Sequence, residues 1–373
     1  MNAPETAAAK PATNDHRFMA LALSLGRRGL GRTWPNPAVG AVIVKDGEIV
    51  GRGWTQPGGR PHAEIEALRR VAAPARGATM FVTLEPCSHH GKSPPCADAV
   101  IASGITRVVS ALEDPNPEVA GAGHARLRSA GIAVDIGIQA DAAKRDHAGH
   151  IRRIRDGRPH VMLKLAISAD GKAAGAGRRR VAITGEAVRN RVHLLRAHSD
   201  AIMIGIGTAL ADDPTLTCRL PGLAGMSPVR VVLDTRLRLP VDSRLVQTAR
   251  QTPLWIIANA PPTSEIALHA HGAEVIEMHD KDGLRTVLEH LGSRGITRLM
   301  VEGGPSLASA MLADDLVDEA VLFHSETMMG EGGLPALDPR AQTMLHRHLK
   351  RTSSEPVGPD RQDHYEREAV GDV

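Results

Sequence analysis

Thr83-Leu84-Glu85-Pro86-Cys87-Ser88-His89-His90-Gly91-Lys92-Ser93-Pro94-Pro95-Cys96, read with His62-Ala63-Glu64 upstream, decides the N-terminal half of this chain. One imidazole and two thiolates supply three ligands to zinc and leave a fourth position for water, whose pKa the metal lowers towards about 7. The two thiolates also balance the charge of the ion. Glu64 is not needed as a ligand, and so is placed to take a proton from that water and pass it to a departing amine. Residues two apart do not share a face of a regular helix. His62 and Glu64 therefore converge on one ion only in a distorted first turn. A lone histidine is more often structural, and two cysteines are more often buried small hydrophobes. Their joint spacing, with Pro86 before Cys87 and a helix opening at Cys96, points to a metal instead.

Working outward, Phe18, Leu21, Ala22 and Leu25 share a helical face over Asp15–Arg28, with Asp15 expected as the N-cap. Val39–Val44 reads as a strand, Lys45-Asp46-Gly47-Glu48 as a turn, and Ile49–Trp54 as the hairpin partner. A helix is expected from about His62, and strands at Thr79–Leu84, Thr106–Leu112 and Ile132–Ile138. The alternation predicts an α/β fold in which helices cover a sheet. Residues 1–14 read as a disordered tail, 15–150 as the first domain and 159–373 as the second. The Arg-rich stretch His150–Pro159 is expected to be a charged surface connection. The second half repeats the alternation. Strands are expected at Val161–Ile167, Ala201–Ile204, Val229–Leu233, Leu254–Ala258, Arg298–Val301 and Glu319–Phe323. Helices are expected at Glu186–His198, Gly283–Ser293 and Pro305–Ala313.

Composition narrows the function. A net charge of +3, from 45 basic and 42 acidic side chains, lacks the clustered excess of a nucleic-acid binder. Aromatics at 2% remove the stacking platforms of single-strand binders. No stretch approaches the roughly 20 apolar residues of a membrane span. Three cysteines, Cys87, Cys96 and Cys218, do not make a secreted disulfide framework, and Cys218 reads as an inert thiol. These features lead us to expect a cytoplasmic protein acting on a small molecule, with neither nucleic acid nor membrane as partner.

His-x-Glu followed by Pro-Cys and a second cysteine is the zinc deaminase pattern, here with a longer loop between the cysteines. With Thr33-Trp34-Pro35-Asn36-Pro37, this run resembles the deaminase half of the bifunctional riboflavin-pathway deaminase/reductases. The resemblance implies a cytidine-deaminase-like three-layer α/β/α domain and makes Asn36 a substrate contact. His89 and His90 either touch a substrate phosphate or line a loop.

Leu163-Lys164-Leu165-Ala166-Ile167-Ser168-Ala169-Asp170-Gly171, Ile183-Thr184-Gly185, Leu195-Arg196-Ala197, Ala211-Asp212-Asp213-Pro214 and Glu302-Gly303-Gly304-Pro305 are similar to the reductase half of the same family. That half has a dihydrofolate-reductase-like α/β fold. By resemblance, NADPH contacts fall on Ala166, Thr208, Asp212, Thr235, Gly304, Pro305, Ser306, Leu307, Ala308, Ser309 and Ala310. Contacts to a phosphorylated pyrimidine fall on Arg180, Arg196, Leu216, Arg219 and Glu302. Gly303-Gly304 before a helix suits a pyrophosphate, because the backbone can approach closely and the helix start offers N–H donors. Arginine forks suit a phosphate. The resemblance further implies zinc, NADPH and a homo-oligomer, dimer or tetramer. One departure stands out. The family carries Ser-x-Trp before Ile-Thr-Gly, whereas this chain has Arg180-Val181-Ala182, preceded by Arg178-Arg179. The rival readings are a deaminase with a degenerate reductase half and a tRNA deaminase.

Overall fold

The computed structural model describes residues 13–71, 75–89, 94–117, 119–178, 181–259, 266–278 and 283–367. The chain divides into two compact units, Met1–Arg155 and Asp156–Val373.

The first unit runs α1 (Thr13–Gly26), β1 (Gly40–Lys45), β2 (Glu48–Trp54), α2 (Ala63–Arg69), β3 (Thr79–Val82), α3 (Cys96–Ala102), β4 (Arg107–Ser110), α4 (Ala122–Ser129), β5 (Ala133–Ile136), α5 (Ala140–Asp146) and α6 (Ala148–Asp156). Its sheet has the order β2-β1-β3-β4-β5. β1 is antiparallel to both neighbours, and β3, β4 and β5 are parallel. Both functional stretches lie where this topology puts them. Cys87 follows β3 and Cys96 opens α3, at the carboxyl ends of parallel strands, where α/β sheets hold their ligands. α2 lies directly on the hairpin, since a Cβ on Gly53 would come within 2.4 Å of the Ala67 nitrogen and 2.5 Å of the Ala63 carbonyl. The core is aliphatic, with Val42, Ile43, Met80, Val82, Val108 and Leu127 buried around Phe81.

One expectation for this unit is corrected and another refined. Asp15 is not the N-cap, because α1 begins at Thr13. Its carboxylate is instead paired with Arg107, Nη2 to Oδ2 at 2.8 Å. The Arg-rich stretch does contain the division between the two units, at Arg155/Asp156, but it is not a loop. It is helical as far as Asp156, because Ala148–Asp156 contains neither proline nor an internal glycine after Gly149.

The second unit runs β6 (His160–Ile167), β7 (Lys172–Ala174), α7 (Glu186–Ala197), β8 (Ala201–Gly205), α8 (Ile206–Asp212), β9 (Val229–Leu233), α9 (Arg244–Gln247), β10 (Leu254–Ala258), α10 (Ile266–Ala270), β11 (Glu274–Glu277), α11 (Gly283–Ser293), β12 (Arg298–Val301), α12 (Pro305–Ala313), β13 (Glu319–His324), β14 (Leu334–Pro335), α13 (Pro339–His348), β15 (Leu349–Val357) and β16 (Asp360–Arg367). Nine of its strands form one sheet, β11-β10-β9-β8-β12-β6-β13-β16-β15. It is parallel from β11 to β13 and closes with an antiparallel hairpin. Buried on both faces, its central strands are the continuous Val/Ile/Leu/Met runs that parallel sheets require.

Candidate functional site

His62 is the N-cap of α2, with extended backbone at φ −69° and ψ 161°. It is therefore outside the helical spiral, while Glu64 is inside the first turn. This is how two residues so close in sequence reach one point. His62 Nδ1 lies 3.3 Å from Cys96 Sγ and 3.7 Å from Cys87 Sγ. The backbone N–H of Cys96 donates to Cys87 Sγ at 3.3 Å. All three ligand atoms fall within 4.8 Å of one another. A tetrahedral zinc ion with the usual Zn–S and Zn–N lengths needs S···N separations of about 3.5 Å. The two observed values bracket that, so the donor set and its spacing fit zinc.

Glu64 is buried, and burial pushes its carboxyl up to about 7 against the opposing pull of His62. The two thiols lie close together, within 4.8 Å. The neighbouring Cys96 thiol, with His62 and the Cys96 N–H adding to it, draws Cys87 down to about 4, and the same neighbour drives Cys96 up. One thiolate is thus readily available, and a dication is what makes the second one available. Asn36 is half-buried and donates from Nδ2 to the Gly59 carbonyl at 2.8 Å. His90 lies outside the described residues.

In the second unit, the carboxyl ends of β6, β8, β9 and β12 gather the expected cofactor residues: Ala166 near the end of β6, Thr208 and Asp212 on α8, exposed Thr235 after β9, and Gly304 after β12. Thr208 Oγ1 accepts from the Gly304 N–H at 2.9 Å and would lie 2.9 Å from a Cβ at that position. Glycine keeps this turn bare, which suits a closely approaching pyrophosphate. Pro305 has no N–H, and Leu307 and Ala308 donate to the Gly304 carbonyl. Ser306 is left as the donor at this helix start. Ala308 and Ser309 face the interior instead, and Ser309 Oγ accepts from the Asp338 N–H. Ala310 lies a turn further along α12.

Arg196 and Glu302 are bound to each other. Nε donates to Oε2 and Nη2 to Oε1, both at 2.9 Å, while Nη1 donates to the Thr217 carbonyl at 3.1 Å. Lys164 Nζ stands 3.4 Å from Glu302 Oε1. Burial pushes Glu302 up, but the charges of Arg196 and Lys164 outweigh it and hold the carboxyl below its ordinary value. Leu216 is buried at a positive φ of 54°. Arg219 is exposed and donates to Thr215 Oγ1 at 2.6 Å. Arg180 lies outside the described residues. Lys164 was missed in the sequence, although a lysine inside the apolar run Met162–Ile167 was its visible signal.

Two family matches divide the chain as the two units do. The cytidine and deoxycytidylate deaminase zinc-binding region matches residues 12–112, and the RibD C-terminal domain matches residues 159–362. The riboflavin biosynthesis protein RibD of Escherichia coli is 41% identical over 362 residues, covering 93% of this chain and 97% of that protein. That of Aquifex aeolicus is 40% identical, covering 85% and 88%. Among solved structures, Acinetobacter baumannii RibD superposes with a TM-score of 0.86 at 35% identity, covering 95% of this chain and 99% of that one. A diaminohydroxyphosphoribosylaminopyrimidine deaminase/5-amino-6-(5-phosphoribosylamino)uracil reductase from Thermotoga maritima superposes with a TM-score of 0.82 at 34% identity, with the same coverage.

Proposed function

This chain belongs to the RibD family of riboflavin-biosynthesis proteins and is a bifunctional deaminase and reductase, and we propose that the two residue sets described above carry out its two reactions in turn. The first is hydrolytic deamination of 2,5-diamino-6-(5-phosphoribosylamino)pyrimidin-4-one to the 5-aminouracil. The second is NADPH-dependent reduction of its ribosyl group to ribityl. The observation that carries the first assignment is the convergence of His62, Cys87 and Cys96 beside buried Glu64.

In the first site, His62, Cys87 and Cys96 would hold zinc, which when bound acidifies the attacking water. Glu64 takes a proton from that water and delivers it to the departing amine, so the C–N bond breaks as the C=O forms. A buried carboxyl beside the ligands is placed to do both. Asn36 borders the substrate, its side chain fixed by the Gly59 carbonyl.

In the second site, Gly304 and Ser306 would hold the phosphates of NADPH, which when bound would supply the hydride. Arg219 grips the substrate phosphate. The Glu302 carboxylate offsets one of the two cations, Arg196 and Lys164, and the remaining positive charge favours an anionic substrate. Leu216 is buried in the apolar core of this unit, three residues before Arg219.

No helix among the described residues is long and apolar enough to cross a membrane. We place the protein in the cytoplasm as a dimer or tetramer, on the strength of its family, and sedimentation tests the assembly. A coupled assay on the diaminopyrimidinone, following ammonia and NADPH separately, tests both reactions. Ammonia release without NADPH oxidation would leave a deaminase with a degenerate second unit. Ammonia release from tRNA alone would overturn the reading.

A further inference from the structure

Glu85 stands two residues before the ligand Cys87 and is buried, yet it touches none of the ligands described above. Its carboxylate accepts four backbone N–H groups. Oε2 takes those of Asp114 and Gly121, both at 3.0 Å, and Oε1 takes those of Gly123 at 2.7 Å and His124 at 3.2 Å.

Three of these donors belong to the start of α4. Its N-cap, Gly121, has no side chain to offer, so the helix is capped in trans by a residue of the metal loop. A carboxylate at this end satisfies orphan donors and complements the helix dipole. The fourth donor, Asp114, lies in the loop that leads from β4 to this helix. The two segments are in close backbone contact, since a Cβ on Gly123 would come within 2.0 Å of the Pro86 carbonyl. Beneath them His124 is fully buried, with Nδ1 3.7 Å from Glu85 Oε2. One side chain thus ties together the loop carrying Cys87, the loop after β4 and the first turn of α4.

We propose that Glu85 is a positioning residue for the deaminase: by capping α4 in trans it fixes the Pro86-Cys87 backbone and so sets the reach of the Cys87 thiolate to the metal. The proposal rests on the zinc reading, which the metal content of the unaltered protein tests separately.

Glu85→Gln is the informative change. It keeps the shape of the side chain but replaces one oxygen with an NH2 group, which faces two N–H donors it cannot accept. Outer partners of metal ligands are worth roughly 10–100-fold in metal affinity or activity. The variant, as the full chain, should still bind one zinc but lose it to a chelator about 10-fold or more faster. Deaminase kcat should fall by a similar factor, and reduction of the pre-deaminated uracil should be unchanged. By hydrogen exchange, the amides of Gly121, Gly123 and His124 should lose protection while those of β1, β3 and β4 keep theirs. Zinc release and kcat equal to the unaltered protein would overturn the proposal. So would loss of protection throughout the first unit, which would make Glu85 a general element of the fold. Glu85→Asp, too short to span the four donors, should resemble Glu85→Gln, and full zinc retention in it would also count against the proposal.

Discussion

Arg196 and Glu302, 106 positions apart in the chain, lie fork to fork with two hydrogen bonds of 2.9 Å, and Lys164 closes on the same carboxylate. A carboxylate held between two cations is depressed in the folded state. The sign of the linkage follows. The unfolded chain binds this proton at about pH 4.3 and the folded chain only below that. The contribution to stability is therefore present above about pH 4.3 and is lost as the pH falls through the folded value. Glu302→Gln should destabilise the second unit by about 2–4 kcal/mol at pH 7, a little under the range for fully buried pairs. Urea unfolding curves should show that difference holding down to about pH 5 and shrinking as the pH is lowered further, through about 4.3 and below. A difference independent of pH would mean that the pair is not what stabilises the fold.

Glu64 separates acid–base work from metal binding. Glu64→Gln should retain one zinc per chain by elemental analysis and lose deamination by about 10²-fold or more. The second activity, assayed on the pre-deaminated uracil, should survive. Loss of both activities in a folded variant would contradict the assignment of two separate sites.

The metal itself is tested by Cys87→Ser. Removing one of three ligands should abolish zinc retention through gel filtration and, with it, ammonia release. A metal-free protein with full deaminase activity would exclude the zinc mechanism.

These sites were unequally legible in the sequence. His62, Glu64, Cys87 and Cys96 could be read because metal ligation permits few residue types and because the flanking proline and helix starts are local signals. The helices Gly283–Ser293 and Pro305–Ala313 were legible for the same local reasons. The partnership of Arg196 with Glu302 was not, because nothing near either residue specifies that β8 and β12, with three strands between them in the chain, are neighbours in the sheet. The hairpin β15–β16 also escaped. Leu349–Val357 is an edge strand exposed along nearly all its length, so Lys350-Arg351-Thr352-Ser353-Ser354-Glu355-Pro356 carries no alternation to read. Asp15 was misread as a cap because its partner, Arg107, lies on a distant strand.

Arg230 is fully buried in β9, and no carboxylate is among its hydrogen-bond partners. Its guanidinium donates to Thr248 Oγ1 at 2.7 Å, to the Thr215 carbonyl at 3.4 Å and to the Thr252 carbonyl. Burial draws it down to about 10. Arg230→Met would remove the desolvated charge but leave buried acceptors unsatisfied, at about 1–3 kcal/mol for each such group. The net effect should be a destabilised second unit, read as an earlier urea transition. The Michaelis constant of the reductase substrate should also rise, because Thr215 begins the loop that carries Leu216 and Arg219. A variant with unchanged stability and unchanged constant would show that the cation is dispensable.

Arg179 and Arg180 lie outside the described residues, and Arg180 opens the Arg180-Val181-Ala182 stretch that stands in place of the Ser-x-Trp of the family resemblance. The other residues proposed to meet phosphate are in place: the bare turn at Gly304, the exposed Arg219 and the cations around Glu302. A guanidinium is always charged and matches phosphate geometry, so one of these arginines can replace the lost contacts. A charge-assisted hydrogen bond contributes roughly 1.5–3 kcal/mol, or about one to two decades in affinity. Arg179→Ala combined with Arg180→Ala should therefore raise the Michaelis constant for NADPH or for the uracil substrate by that factor and leave deamination unchanged. If the constant for NADPH rises while that for NADH does not, the cofactor 2′-phosphate is the target. If only the substrate constant rises, its own phosphate is. If neither moves, the arginines are a solvated run and the replacement of Ser-x-Trp has no bearing on binding.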